Sequence, residues 1–72
     1  MKEKVLEILA AIDSDMKDGI NLIDEGLLDS FQIANVVMEL EEALDIQIAV
    51  GEVVAENFET VDAIVALVEK SM

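Results

Sequence analysis

Few residues of this chain can do chemistry, and most of the usual reagents are missing. Histidine, cysteine, tryptophan and tyrosine are absent, and the only cations are Lys2, Lys4, Lys17 and Lys70. A nucleophilic serine needs an adjacent base, usually His or Lys, oriented by a third group. All four lysines are distant in sequence from Ser30, the serine of most interest, so serine catalysis is not expected. Without cysteine there is no thiolate to bind metal and no disulfide. One acid-rich stretch, "DSDMKDGINLIDE" from Asp13, has acids at the first and third positions of a calcium-binding loop. Its Gly19 is seventh instead of sixth, Lys17 takes a ligand position, and Asp24 stands where a bidentate glutamate belongs. No metal site is expected there.

What remains is Ser30, inside "GLLDSFQI" at residues 26–33. A serine at a helix start commonly caps the helix through its side-chain oxygen. Here Asp29 is the better cap by position, because Gln32 lies three residues later and completes a capping-box spacing. With Asp29 capping, Ser30 falls in the first helical turn with its hydroxyl uncommitted. An attached phosphate would meet free backbone N–H groups and the positive end of the helix dipole. The residues therefore favour a serine that receives a phosphate-linked group over one that attacks a substrate. Ser14 and Ser71 lack that context.

The elements that must position Ser30 follow from apolar spacing. Val5, Ile8, Leu9 and Ile12 predict a first helix over roughly residues 2–13. From Asp13 to Asp29 the periodicity dissolves, with Gly19 and Gly26 as breakers, into a connection long for so small a chain. Ile20, Leu22, Ile23, Leu27 and Leu28 are expected to pack that loop on the core. Ile33, Val36, Val37, Leu40 and Leu44 share one side of a second helix over about 30–44. A turn through "DIQIAVG" leads to a short third helix over about 52–57. Thr60 is placed to cap a last helix carrying Val61, Ile64, Val65 and Val68. No strand alternation and no repeat is present. The expected fold is all-α, a four-helix bundle with a long first loop and a short third helix, in one domain over residues 1–72.

The second helix carries a further pattern. Phe31, Ala34 and Met38 form a smaller apolar stripe nearly opposite the core face, which reads as a partner-docking surface. Glu39, Glu41, Glu42 and Asp45 crowd its C-terminal half, where acids oppose the helix dipole at ~0.3–1 kcal/mol each. Charge that destabilises its own helix fits a basic partner better than it fits solubility alone. The whole chain agrees, with a formal net charge of −13 that argues against nucleic acid and for basic protein surfaces. A hydrophobic share of 54% is too high for a disordered acidic tail. No apolar run approaches the ~18 residues that span a bilayer. The opening "MKEKVLEILAAIDSD" is broken by Glu7 and has no small-residue cleavage site, so it is not read as a signal peptide, and a cytoplasmic monomer is expected.

The stretch from Leu22 to Val68 resembles the acyl and peptidyl carrier proteins. "LIDEGLLDSFQIANVVMELEEALDIQI" is similar to their loop, Asp-Ser modification site and recognition helix, and "ENFETVDAIVALVEK" to their third-to-fourth helix junction. The resemblance implies a four-helix bundle whose Ser30 is esterified by 4'-phosphopantetheine from coenzyme A, with Asp29 as the flanking acid. A carrier-protein synthase (phosphopantetheinyl transferase) would install this arm, whose thiol then holds an acyl or aminoacyl group as a thioester. Phe31, Met38, Glu39, Glu41 and Glu42 match positions that face partner enzymes in the family, among them acyl- or aminoacyl-loading and acyl-transfer enzymes. The implied function is a non-catalytic acyl carrier in fatty-acid, related lipid or secondary-metabolite biosynthesis. A D-alanyl or aminoacyl carrier is the alternative. Fatty-acid carriers usually have Leu after the serine and acids two and five positions beyond it, where this chain has Phe31, Gln32 and Asn35; many carriers have Pro at the place of Ala49. The "EGLLDS" lead-in is closer to D-alanyl and other freestanding carriers. An acidic helical interaction module without a prosthetic group is the reading from another class.

Overall fold

The computed structural model describes residues 1–72 and contains helices and turns only. Three α-helices run in chain order: α1 over Lys2–Ile12, α2 over Ser30–Leu44 and α3 over Val61–Ser71. Each turns its predicted stripe inward, with Ile8, Ile12, Ile33, Val37, Leu44 and Val65 half-buried against the core. Val5 and Leu9 of α1, Val36 and Leu40 of α2, and Val61, Ile64, Leu67 and Val68 of α3 are buried. Helix α1 packs on both α2 and α3, and the buried cluster between them contains no polar side chain.

The long first loop is folded around Leu22, which is fully buried. Its carbonyl accepts from the N–H groups of Leu27 and Leu28 at 2.9 and 3.1 Å, and its own N–H donates to Glu59 O. Asn21 Oδ1 accepts from Ile23 N and Asp24 N at 3.1 and 2.9 Å, an Asx turn that reverses the chain. Gly26 then takes φ +76°, the left-handed region that a Cβ disfavours. Leu28 is drawn into the core beside Leu22, which delivers Asp29 and Ser30 to the start of α2. Ile20, Ile23 and Leu27 pack against the same cluster, as their apolar character predicts.

The segment expected to form a short third helix over about 52–57 contains no α-helix, so the four-helix count is reduced to three α-helices. It consists of two 3₁₀ turns, Val50–Glu52 and Ala55–Asn57, with Val54 in extended backbone between them. Six residues with adjacent β-branched valines cannot repay helix nucleation. Asn57 completes the interruption by donating its side-chain amide to Glu52 O at 2.7 Å. Phe58 follows directly and is fully buried, among the largest side chains of the core. Thr60 Oγ1 then accepts from Ala63 N at 3.1 Å and caps α3.

Ion pairs close the ends. Lys2 Nζ bridges Asp18 at 2.7 Å and Asp62 at 2.9 Å, joining α1 to the first loop and to α3. The hydrogen bond to Asp18 holds the Lys2 ammonium above its usual range and, reciprocally, the Asp18 carboxyl below its own. Lys70 at 2.9 Å does the same to Glu52. Carboxyls depressed in the folded state contribute stability above their unfolded pKa and lose it as pH falls through the folded one. The raised ammonium contributes below its unfolded pKa and loses its share in strong alkali. Because these groups are exposed, the effects are small and screened. The difference in melting temperature between wild type and Lys2→Ala is expected to shrink as pH falls through the lowered titration range of Asp18, and to be smaller at high salt; thermal melts of both proteins across pH at two ionic strengths measure it.

Candidate functional site

Asp29 sits in extended backbone, φ −110° and ψ −176°, and its side chain accepts from Gln32 N at 2.8 Å. Its carbonyl accepts from Ile33 N at 2.9 Å, the first turn of α2. Asp29 is therefore the N-cap, and such a cap is worth ~1 kcal/mol over alanine. Ser30 becomes the first helical residue, exposed, with a hydroxyl that takes no part in capping. It stands at the positive end of a fifteen-residue helix that has no acid in its first turn.

Beside Ser30 lies an open cleft of about 350 Å³. Ile23 and Leu28 from the loop, Ile33 from α2, and Val53 and Ala55 from the 3₁₀ segment supply its apolar lining, with Asp29 and Ser30 completing it. Sequence reasoning missed Val53 and Ala55 in this role. Nothing local marks them, because they reach the cleft only through the fold of the whole segment.

The outward face of α2 is largely bare. Phe31 is 83% exposed and Met38 59%, and Ala34 lies exposed between them. With Asn35 these three line a shallow apolar hollow. Met38 also borders Glu41, Glu42 and Asp45, so the stripe runs into the acidic end of the helix. Glu39, Glu42 and Asp45 are exposed. Glu41 differs: it is half-buried, and its Oε2 accepts from the backbone N–H of Ile48 at 2.9 Å. Asp45 ends α2 in the left-handed region, φ 53° and ψ 50°. No helix is long and apolar enough to cross a membrane.

Taken together, the site offers a free hydroxyl at an anion-favouring helix start, an apolar cleft at its side and an acidic, partly apolar face along the same helix. Comparison with known proteins bears on its use. Residues 1–68 match the family described as "Phosphopantetheine attachment site". A D-alanyl carrier protein of Listeria welshimeri is 38% identical over 72 residues, covering 94% of this chain and 92% of the relative. One of Listeria monocytogenes is 39% identical with the same coverage. A D-alanyl carrier protein of Bacillus cereus is 30% identical over 73 residues, covering 96% of this chain and 92% of the relative. No solved structure matches the chain.

Proposed function

Since this chain belongs to the phosphopantetheine-attachment family of carrier proteins, we propose that it carries D-alanine as a thioester on an arm esterified to Ser30. Carriers of this family are not enzymes: a covalently attached 4'-phosphopantetheine supplies the thiol that this cysteine-free chain lacks. The observation that carries Ser30 is its exposed hydroxyl, freed by the Asp29 cap at the first turn of α2.

The residues present fit such a group. A phosphodiester on Ser30 Oγ would sit where the dipole of α2 favours an anion. The cleft walled by Ile33 and Val53 would lie alongside the arm. In attachment, Ser30 Oγ would form the new bond to phosphorus as the phosphoanhydride bond of coenzyme A breaks and adenosine 3',5'-bisphosphate leaves, and the hydroxyl proton must go to a base. The chain has no imidazole to take that proton, and the adjacent Asp29 carboxylate is engaged in capping Gln32 N, which fits a base supplied by the phosphopantetheinyl transferase. Docking of that enzyme and of an aminoacyl-loading enzyme falls to the outward face of α2. There Phe31, Ala34 and Met38 offer apolar contact, and Glu39, Glu42 and Asp45 offer charge to basic surfaces. The unit of function in this reading is one carrier domain over residues 1–72.

The relatives support D-alanine over the fatty-acid cargo that the wider family also carries, in keeping with the "EGLLDS" lead-in. The test is sequential loading followed by intact-mass measurement. Coenzyme A and a transferase should add one phosphopantetheine mass, and a D-alanine-adenylating enzyme with ATP should then add one alanyl mass that hydroxylamine removes. Efficient loading with malonyl or longer acyl groups and none with D-alanine would overturn the cargo assignment while leaving the carrier intact.

A further inference from the structure

The segment from Ile46 to Asn57 supplies one wall of the cleft beside Ser30, and a glutamate carboxylate pins it at each end. At the far end, Glu52 Oε2 accepts from Lys70 Nζ at 2.9 Å and from Asn57 Nδ2 at 3.2 Å. At the near end the hold is Glu41. Its Oε2 reaches across seven residues to the N–H of Ile48 at 2.9 Å. Its carbonyl also accepts from Asp45 N and, at 3.3 Å, from Ile46 N.

Three donors of the turn after α2 thus converge on one residue. The chain changes direction at Asp45, whose left-handed backbone is a conformation that Asp, unlike most residues with a side chain, enters as a single residue. From Ile48, which is buried, the backbone proceeds through short hydrogen-bonded turns. Glu52 N donates to Ala49 O at 2.9 Å, and Val53 N to Val50 O at 3.1 Å. These turns connect Ile48 to Val53, whose side chain lines the cleft.

We propose that Glu41 is a positioning residue: its carboxylate acts as a hydrogen-bond acceptor for the turn, not as a docking charge, and so sets Val53 as the cleft wall beside Ser30. The relevance of that wall rests on reading Ser30 as the attachment point. Among the four acids at the end of α2, three are exposed and carry the docking charge, while the half-buried one holds the segment behind them.

Three variants separate the roles: Glu41→Ala, Glu41→Gln and Glu42→Gln. Each is followed by amide hydrogen exchange and methyl NMR on unmodified protein, and by the kinetics of phosphopantetheine transfer. Glu41→Ala is expected to speed exchange at Ile48 about tenfold or more. It should also move the methyl signals of Val53 and Ala55 while the amides of α1 and α3 stay protected. Glu41→Gln, whose side-chain carbonyl still accepts, should restore slow exchange and the wild-type signals, and should change the transferase KM less than Glu42→Gln does.

The proposal is overturned if Ile48 exchanges equally fast in wild type and Glu41→Ala. It is also overturned if Glu41→Gln leaves the signals in place yet raises KM as far as Glu42→Gln. Should Glu41→Ala unfold throughout, the two glutamine variants decide alone. The NMR measurements need no loading, so their failure is distinct from failure of the attachment site, which would show as modification persisting in Ser30→Ala.

Discussion

Ser30→Ala is expected to abolish phosphopantetheine addition completely while leaving the fold intact. The intact mass after incubation with coenzyme A and a transferase should equal that of the untreated variant. The two halves of this expectation have separate causes. Loss of modification follows from removing the one hydroxyl placed at the start of α2 and left free by the Asp29 cap. Preservation of the fold follows because Ser30 is exposed, donates nothing to the cap, and is replaced by the best helix former. The melting temperature should stay level or rise slightly. Ser14→Ala serves as the control and should load as wild type. Ser71 is otherwise occupied, since its Oγ donates to Leu67 O at 2.8 Å. Adduct formation on Ser30→Ala at the wild-type level would refute the attachment site.

The second large effect concerns stability. The chain has two phenylalanines with opposite fates: Phe58 is fully buried and Phe31 is 83% exposed. Phe58→Ala should cost ~3–5 kcal/mol, the transfer term plus a cavity between packed helices. A domain of this size has only a few kcal/mol to spare, out of a typical range of about 5–15 kcal/mol. The variant is therefore expected to be largely unfolded at room temperature, with a urea transition shifted close to zero denaturant. Phe31→Ala should leave stability within about 0.5 kcal/mol. Its effect should instead be on the KM of a docking enzyme. Urea melts of the two variants side by side measure the contrast, and a Phe31→Ala protein as unstable as Phe58→Ala would contradict the exposed stripe.

Much of this was legible because each helix declares itself locally. Ile33, Val36, Val37, Leu40 and Leu44 recur at helical spacing, and α2 occupies Ser30–Leu44 as that spacing predicts. Asp29 and Thr60 cap through bonds to the residue three positions on, a distance that one-dimensional reading captures. The third element is less legible: six residues with two adjacent valines have no period to read, and they form two 3₁₀ turns instead of a helix of several turns. Phe58 is hidden from one-dimensional reading because a lone aromatic between polar residues, "ENFET", has no period to reveal its direction. Met16 was hidden likewise inside an acid-rich loop, yet it is 3% exposed. Glu41 reads like its acidic neighbours, since nothing in the run "MELEEALD" distinguishes the carboxylate that turns inward to Ile48.

The absence of any polar side chain from the core has a consequence for how such a protein diversifies. The instructions for folding and those for choosing partners are written on different residues. Val36 and Leu40 face inward from the same helix that turns Phe31, Ala34, Met38, Glu39 and Glu42 outward. The outward alphabet can be rewritten wholesale, by drift or by a designer grafting another carrier's face, without renegotiating the interior. Glu41 is the one letter of that helix's acidic end that is written in the folding text instead.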